Sequence, residues 1–380
     1  MAVPARALRT AAAASMSAVA LLAATGPAQA TPHRSVPAGQ VLRVETGAAN
    51  VTVFDNLTVT QPEAAGHATA YPCNAKKPFA SNLNFTAGQT VANFTAVRTD
   101  ARGGFCVFTT AGAQFVFDMV ATTPGKVAGT PQREYDSRDR RYAAKKPAAG
   151  QVVTITTDAP NATVFGTLTV TNPATGGYAT AYPCGAEPPK ASNVNFTAGK
   201  TVAAFIGVRT DADGKFCVVS SSSADFVFDK VGSTTKILSE RPLRLIDTRG
   251  TFGAVPAGQI VHVATGSPSS TVMGTLTITQ PAAAGYATAF SCDRPRPLAS
   301  NLNFTAGQTV ANFVTVRTDA AGDFCVFVSQ TAQVIFDKVS ANKTDIPAGD
   351  PERKLDSRQG GWQTEQEFED EHGTETEVDD

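Results

Sequence analysis

Six cysteines, two sets of recurring aspartates and four histidines carry most of the reactive chemistry open to this 380-residue chain. The cysteines fall into pairs 33 residues apart: Cys73 with Cys106, Cys184 with Cys217 and Cys292 with Cys325. A spacing written three times selects one disulfide inside each repeat. Closing such a loop contributes ~3–4 kcal/mol on a chain-entropy account. Zinc is a poor alternative without CxxC spacing or a recurring histidine, so no metal and no cofactor is expected. The aspartates are Asp118, Asp229 and Asp337, each after a phenylalanine, and Asp136, Asp247 and Asp356 in an R-x-x-D-[ST]-R box. Paired carboxylates would suit glycoside hydrolysis. An arginine recurs near each acid, however, and bidentate arginine–carboxylate pairs pin strand ends. The favoured expectation is structural: Asp118, Asp229 and Asp337 pair with arginines of the box, which ends in Arg138, Arg249 and Arg358, or with those of a Val-Arg-Thr-Asp strand.

His33, His67, His262 and His372 share no repeat position, and no serine or cysteine has a recurring base. Nucleophilic catalysis therefore lacks its constellation, and a non-enzyme is expected. Three Asn-x-Asn pairs (Asn82/Asn84, Asn193/Asn195, Asn301/Asn303) either face a ligand or satisfy turn backbone, and the turn role is favoured. Asp211-Ala212-Asp213-Gly214 has the start of a calcium loop but no later bidentate glutamate, and reads as a hairpin turn. Carbohydrate platforms expose Trp or Tyr, yet the sole tryptophan, Trp362, lies beside an acidic tail.

These residues sit on elements written three times. Residues 80–98, ASNLNFTAGQTVANFTAVR, return at 191–209 and 299–317, bracketed each time by the cysteine pair. Each copy opens on a turn before a β-branched, alternating strand. A hairpin through Asp-Ala-x-Gly and a closing strand such as Phe115-Val116-Phe117-Asp118 follow. First cysteines lie 111 and then 108 residues apart, too long for a solenoid unit of ~20–50 residues and long enough for a domain. The predicted fold is all-β: three tandem antiparallel β-sandwich repeats over 31–142, 143–252 and 253–358, each with an internal disulfide. No box precedes the first core and no core follows the last box. Each box is therefore expected to complete the core before it.

Residues 1–30 read as an export signal, with Arg6 and Arg9, an apolar run over 11–24 and Ala28-Gln29-Ala30 for cleavage. That run is shorter than the ~20 residues of a spanning helix. Residues 359–380 hold nine acids and no Lys or Arg, leaving a net +6 on residues 31–358. The tail is expected to be disordered. A mildly basic body without a basic, aromatic-interleaved stripe excludes nucleic acid.

The string SNLNFTAGQTVAN with its Val-Arg strand, and the R-x-L-D-[ST]-R box between copies, resembles a tandem β-repeat of secreted actinobacterial proteins. The resemblance implies a β-rich extracellular module, found in arrays or appended to extracellular enzymes, with no catalytic residues to carry over. Its members often have the box ahead of the core, and the cysteine pair looks like an addition. Ala204 replaces the asparagine of the other copies, Asn93 and Asn312. The expected function is a secreted or cell-surface, non-enzymatic binding or scaffold protein. The alternatives are a polysaccharide- or peptidoglycan-binding protein and, more remotely, a hydrolase on one diverged repeat. Expected partners are a cell-wall glycan or an extracellular protein.

Overall fold

The computed structural model describes residues 35–373 apart from 126, 143–144, 237–238, 240, 252 and 344–345. The export signal expected over residues 1–30 lies outside the described residues. In the first repeat, β1 (Val41–Glu45), β2 (Thr52–Thr60), β3 (Gly66–Tyr71), β4 (Leu83–Phe85), β5 (Val91–Arg98), β6 (Gly104–Thr109) and β7 (Gln114–Thr123) precede the first box strand, β8 (Ala128–Asp136). The second repeat runs from β9 (Val153–Thr156) through β10 (Thr163–Thr171), β11 (Gly177–Tyr182), β12 (Val194–Phe196), β13 (Val202–Arg209), β14 (Lys215–Ser220) and β15 (Asp225–Thr234) to its box strand β16 (Leu243–Asp247). After the short α1 (Thr248–Thr251), the third has β17 (Ile260–Ala264), β18 (Thr271–Thr279), β19 (Gly285–Ser291), β20 (Leu302–Phe304), β21 (Val310–Arg317), β22 (Asp323–Val328), β23 (Gln333–Asn342) and box strand β24 (Ala348–Asp356).

Six four-stranded antiparallel sheets result, two to a repeat region. In the first region β1-β6-β3-β4 faces β2, β5 and β7 across a shared cluster that includes Leu57, Val59, Phe105, Phe115 and Phe117. Alternation fixes this: Leu57 and Val59 point between the sheets, while Phe54 points the other way, into a second core. The disulfides Cys73–Cys106, Cys184–Cys217 and Cys292–Cys325 each close within their repeat, with Cα atoms 4.9, 5.0 and 5.0 Å apart.

The box strands depart from the expected placement on the preceding core. Two of them start against their own repeat, where Ala128 and Ala348 donate their N–H groups to Thr52 and Thr271 at 3.1 and 2.9 Å. All three cross over: β8 pairs with β15 of the second repeat and β16 with β23 of the third. The last, β24, returns to β7 of the first. A box thus completes the core after it, and the last box finds its core by closing a ring. Distances along the chain pointed to the preceding core because a linear order leaves the last box no successor.

The three pairs of sheets are arranged like propeller blades around a central apolar cluster. Its centre is Phe94, Phe205 and Phe313, whose ring centroids lie 5.3, 5.4 and 5.5 Å apart. Phe54, Phe165 and Met273 surround them. The repeats are therefore not independent beads.

The tail also departs from expectation. Residues 365–372 form α2 (Glu365–His372), started by a capping box between Thr364 and Glu367. Gln363 accepts an N–H from Arg43 on edge strand β1 at 3.2 Å, and Arg43 lies 3.9 Å from the Phe368 ring centre. Against the disorder expected over residues 359–380, residues 359–373 are folded, and 374–380 lie outside the described residues. No helix among the described residues is long and apolar enough to cross a membrane.

Candidate functional site

The recurring acids and arginines meet at the seams between blades. Arg133 of the first box reaches Asp229 of the second repeat at 2.5 Å, Arg244 reaches Asp337 at 2.8 Å, and Arg353 reaches Asp118 at 2.8 Å. All three acids are almost wholly buried. Burial raises each carboxyl above its usual range, while the hydrogen bonds and charge of the facing arginine pull it back. Asp136, Asp247 and Asp356 face the same arginines from the other side. Their own partners, Arg138, Arg249 and Arg358, grip them at 2.7, 2.6 and 2.5 Å and lower their pKa values. Each of the six acids is thereby held in an ion pair with arginine at a seam.

The first box arginine, rather than the last, is the residue that spans the seam. The box hydroxyl has an equally concrete role: Ser137, Thr248 and Ser357 accept the N–H of Phe226, Val334 and Phe115 at 3.0, 2.9 and 2.7 Å. Spacing alone held a hint of both. An arginine three residues before the aspartate lies on the pairing strand, whereas one two residues after it lies beyond the strand end.

Asn82, Asn193 and Asn301 are buried, and their side-chain oxygens accept the N–H of Ala70, Ala181 and Ala289 at 2.7, 2.7 and 2.6 Å. Asn84, Asn195 and Asn303 are half-buried and donate to Ser81, Ser192 and Ser300. The inner amide holds the repeated stretch to its neighbouring strand, and the outer one remains at the surface.

The loop ahead of each Asn-x-Asn is where the seam meets solvent. Arg133 and Arg353 also donate to the main-chain carbonyls of Phe79 and Leu298, at 3.2 and 3.0 Å. Those two side chains, at equivalent positions, are 90% and 92% exposed. In the third repeat a groove of about 200 Å³ opens beside the loop, lined by Tyr286, Arg296, Leu298, Ser300, Asn303 and Arg353. Arg296 lies 3.8 Å from the Phe327 ring centre, and Tyr286 packs on the same ring at 5.8 Å. The first repeat repeats the pattern with Lys77 over Phe108 at 3.6 Å and His67 at 6.4 Å. Burial and the nearby Lys77 lower the His67 pKa.

No protein-family model and no curated protein matches the chain. Two solved structures are similar over 80% of this chain, at a TM-score of 0.20 and 9% identity. They are described as "Life in the extremes: atomic structure of Sulfolobus Turreted Icosahedral Virus" and "The Triple Jelly Roll Fold and Turret Assembly in an Archaeal Virus", with 85% and 84% of those chains covered. At that similarity neither carries an argument here.

His262, Lys230 and Asp211 each have partners within the molecule. His262 has its ring nitrogens 3.6 and 3.8 Å from the sulfurs of Cys292 and Cys325, but both sulfurs are spent in the disulfide and offer no thiolate. A wider cavity of about 790 Å³ is lined by residues of β8, of β15 and of the turn at residues 158–160; Lys230 on its wall is paired with Glu134 at 3.1 Å and with Asp158. Asp211 accepts the N–H of Asp213 and Lys215, both at 2.9 Å, as the opening residue of a hairpin turn.

Proposed function

We propose that this is a secreted, non-enzymatic binding or scaffold protein of the extracellular space or cell envelope, in which three β-sandwich modules form one closed body. The observation that carries this reading is the pair of exposed loop residues, Phe79 and Leu298, held outward by seam arginines. Three internal disulfides favour an oxidising, extracellular compartment. Carboxylates locked in ion pairs leave the remote hydrolase alternative without an acid–base pair to name. The resemblance to actinobacterial extracellular repeats agrees with this reading.

A polysaccharide- or peptidoglycan-binding role is the second reading. Its support is the groove of the third repeat, where Tyr286, Asn303 and Arg296 offer a ring face, an amide and a cation together. The test is capture of the secreted protein by cell-envelope fractions and by a glycan array, with Phe79→Ser/Leu298→Ser and Tyr286→Ala/Asn303→Ala variants alongside. Capture lost only in the first variant supports the loop surface. Loss only in the second supports the groove. Binding to neither preparation sinks both.

A further inference from the structure

We propose that the loops of the first and third repeats dock the protein on an anionic lipid bilayer, inserting Phe79 and Leu298 at the headgroup boundary. This rests on the binding-protein reading and names its surface. Each loop starts at a disulfide, Cys73 or Cys292, and carries two exposed cations before its apolar tip: Lys76 and Lys77 before Phe79, Arg294 and Arg296 before Leu298. A proline, Pro78 or Pro297, stiffens the approach to the tip. Behind the tip, Arg133 or Arg353 holds its carbonyl. Two large apolar side chains left nine-tenths or more in water, on braced loops, gain no burial from folding and keep that apolar area for a partner.

Apolar tips flanked by cations suit an interface whose headgroups are anionic and whose interior is hydrocarbon. A sugar polymer would be read by ring stacking, which Phe79 can supply and Leu298 cannot; what the two share is apolarity. The second repeat supplies an internal contrast. Its loop reads Glu187-Pro188-Pro189-Lys190, with one acid, one cation and no apolar tip, whereas the third loop sets two cations against its single acid, Asp293, and the first has two cations and no acid. Docking would therefore use two of three blades.

The test is co-sedimentation of the mature full chain with phosphatidylcholine vesicles, with and without phosphatidylglycerol. Binding should require phosphatidylglycerol and weaken as salt rises. Phe79→Ser and Leu298→Ser should each lower the partition coefficient about tenfold, and Lys77→Gln/Arg296→Gln should lower it by a similar factor. Lys190→Phe should raise it. All these positions are exposed, so circular dichroism should stay unchanged. Equal binding to neutral vesicles, undiminished binding of Phe79→Ser/Leu298→Ser, or no vesicle binding would overturn the proposal. Vesicle binding abolished by equimolar soluble polyanion, or by inorganic phosphate, would overturn it in favour of a soluble anionic ligand. Capture by cell-wall material without vesicle binding would sink the lipid inference and leave the binding-protein reading standing.

Discussion

Arg353 closes the protein onto itself, donating to both carboxylate oxygens of Asp118 at 2.8 and 3.1 Å across 235 residues of chain. The other two seams use the same chemistry, but there the chain runs on into the blade it has just joined. Arg353→Ala would leave Asp118 buried without the cation that bonds both of its oxygens. The expected loss is about 2–4 kcal/mol, toward the low end because the guanidinium is partly solvated. Hydrogen exchange should locate the loosening in β7 of the first repeat, next to β24. Loosening confined to β23 of the third repeat would contradict ring closure.

A second relationship crosses the axis. Asn93 accepts the N–H of Phe205 at 3.0 Å, and Asn312 accepts that of Phe94 at 2.9 Å, each while donating to a carbonyl of its own repeat. Ala204 has no amide to offer Phe313. Asn93→Ala and Asn312→Ala should each cost about 1–3 kcal/mol, because each leaves a buried N–H and a buried carbonyl without that partner. Ala204→Asn should cost nothing or add about 1 kcal/mol by completing the set. Urea unfolding of the three variants checks the contrast, and equal effects at all three positions would refute it.

Asp55 should make stability fall as pH rises. Its carboxyl is buried in the first repeat, where one oxygen accepts from Thr95 at 2.7 Å and the other has no partner. Burial, with Asp118 nearby, pushes its pKa up to about 8. The unfolded chain loses this proton near pH ~4, so between about pH 4 and 8 the folded state holds the extra proton. Stability then declines with rising pH by up to about 1.4 kcal/mol per pH unit in that window. Gly166 and Gly274 stand at the equivalent positions, and Ile206 and Val314 replace Thr95. Asp55→Asn should flatten this part of the pH–stability curve, as read by thermal melts across the window.

Much of the blade was legible because its causes are local. Alternation in residues 52–60 places Leu57 and Val59 on one face, and the repeated 33-residue spacing names each cysteine's partner. The destination of a box strand has no local cause, since β24 is as well formed for one neighbour as for another. What decides it is the pairing of Arg353 with Asp118 and of Ser357 with Phe115, contacts made across the whole chain. Exposure of Phe79 was equally hidden. A phenylalanine one residue before a buried alanine reads as core until the backbone around it is placed. In the tail, charge density masked the Thr364–Glu367 capping box and the apolar Trp362 and Phe368.

That C-terminal segment gives the last prediction. Strand β1 is an edge of its sheet, and residues 363–364 cover it through main-chain contacts. Phe368 stacks on Arg43, which is also held by Asp100 at 2.7 Å and by Glu365 at 3.3 Å. Truncation after Gly361 would keep β24 and its seam while uncovering β1. The ring should stay closed, with near-normal circular dichroism, but the first repeat should melt earlier by about 1–2 kcal/mol for the lost packing and ion pair. An uncovered edge also templates pairing between copies, so the truncated chain should self-associate in sedimentation velocity as concentration rises. Truncation before Ala348 removes β24 as well and should unfold the first blade. If the two truncations behaved alike, the segment would be part of the seam itself rather than a cover on its edge.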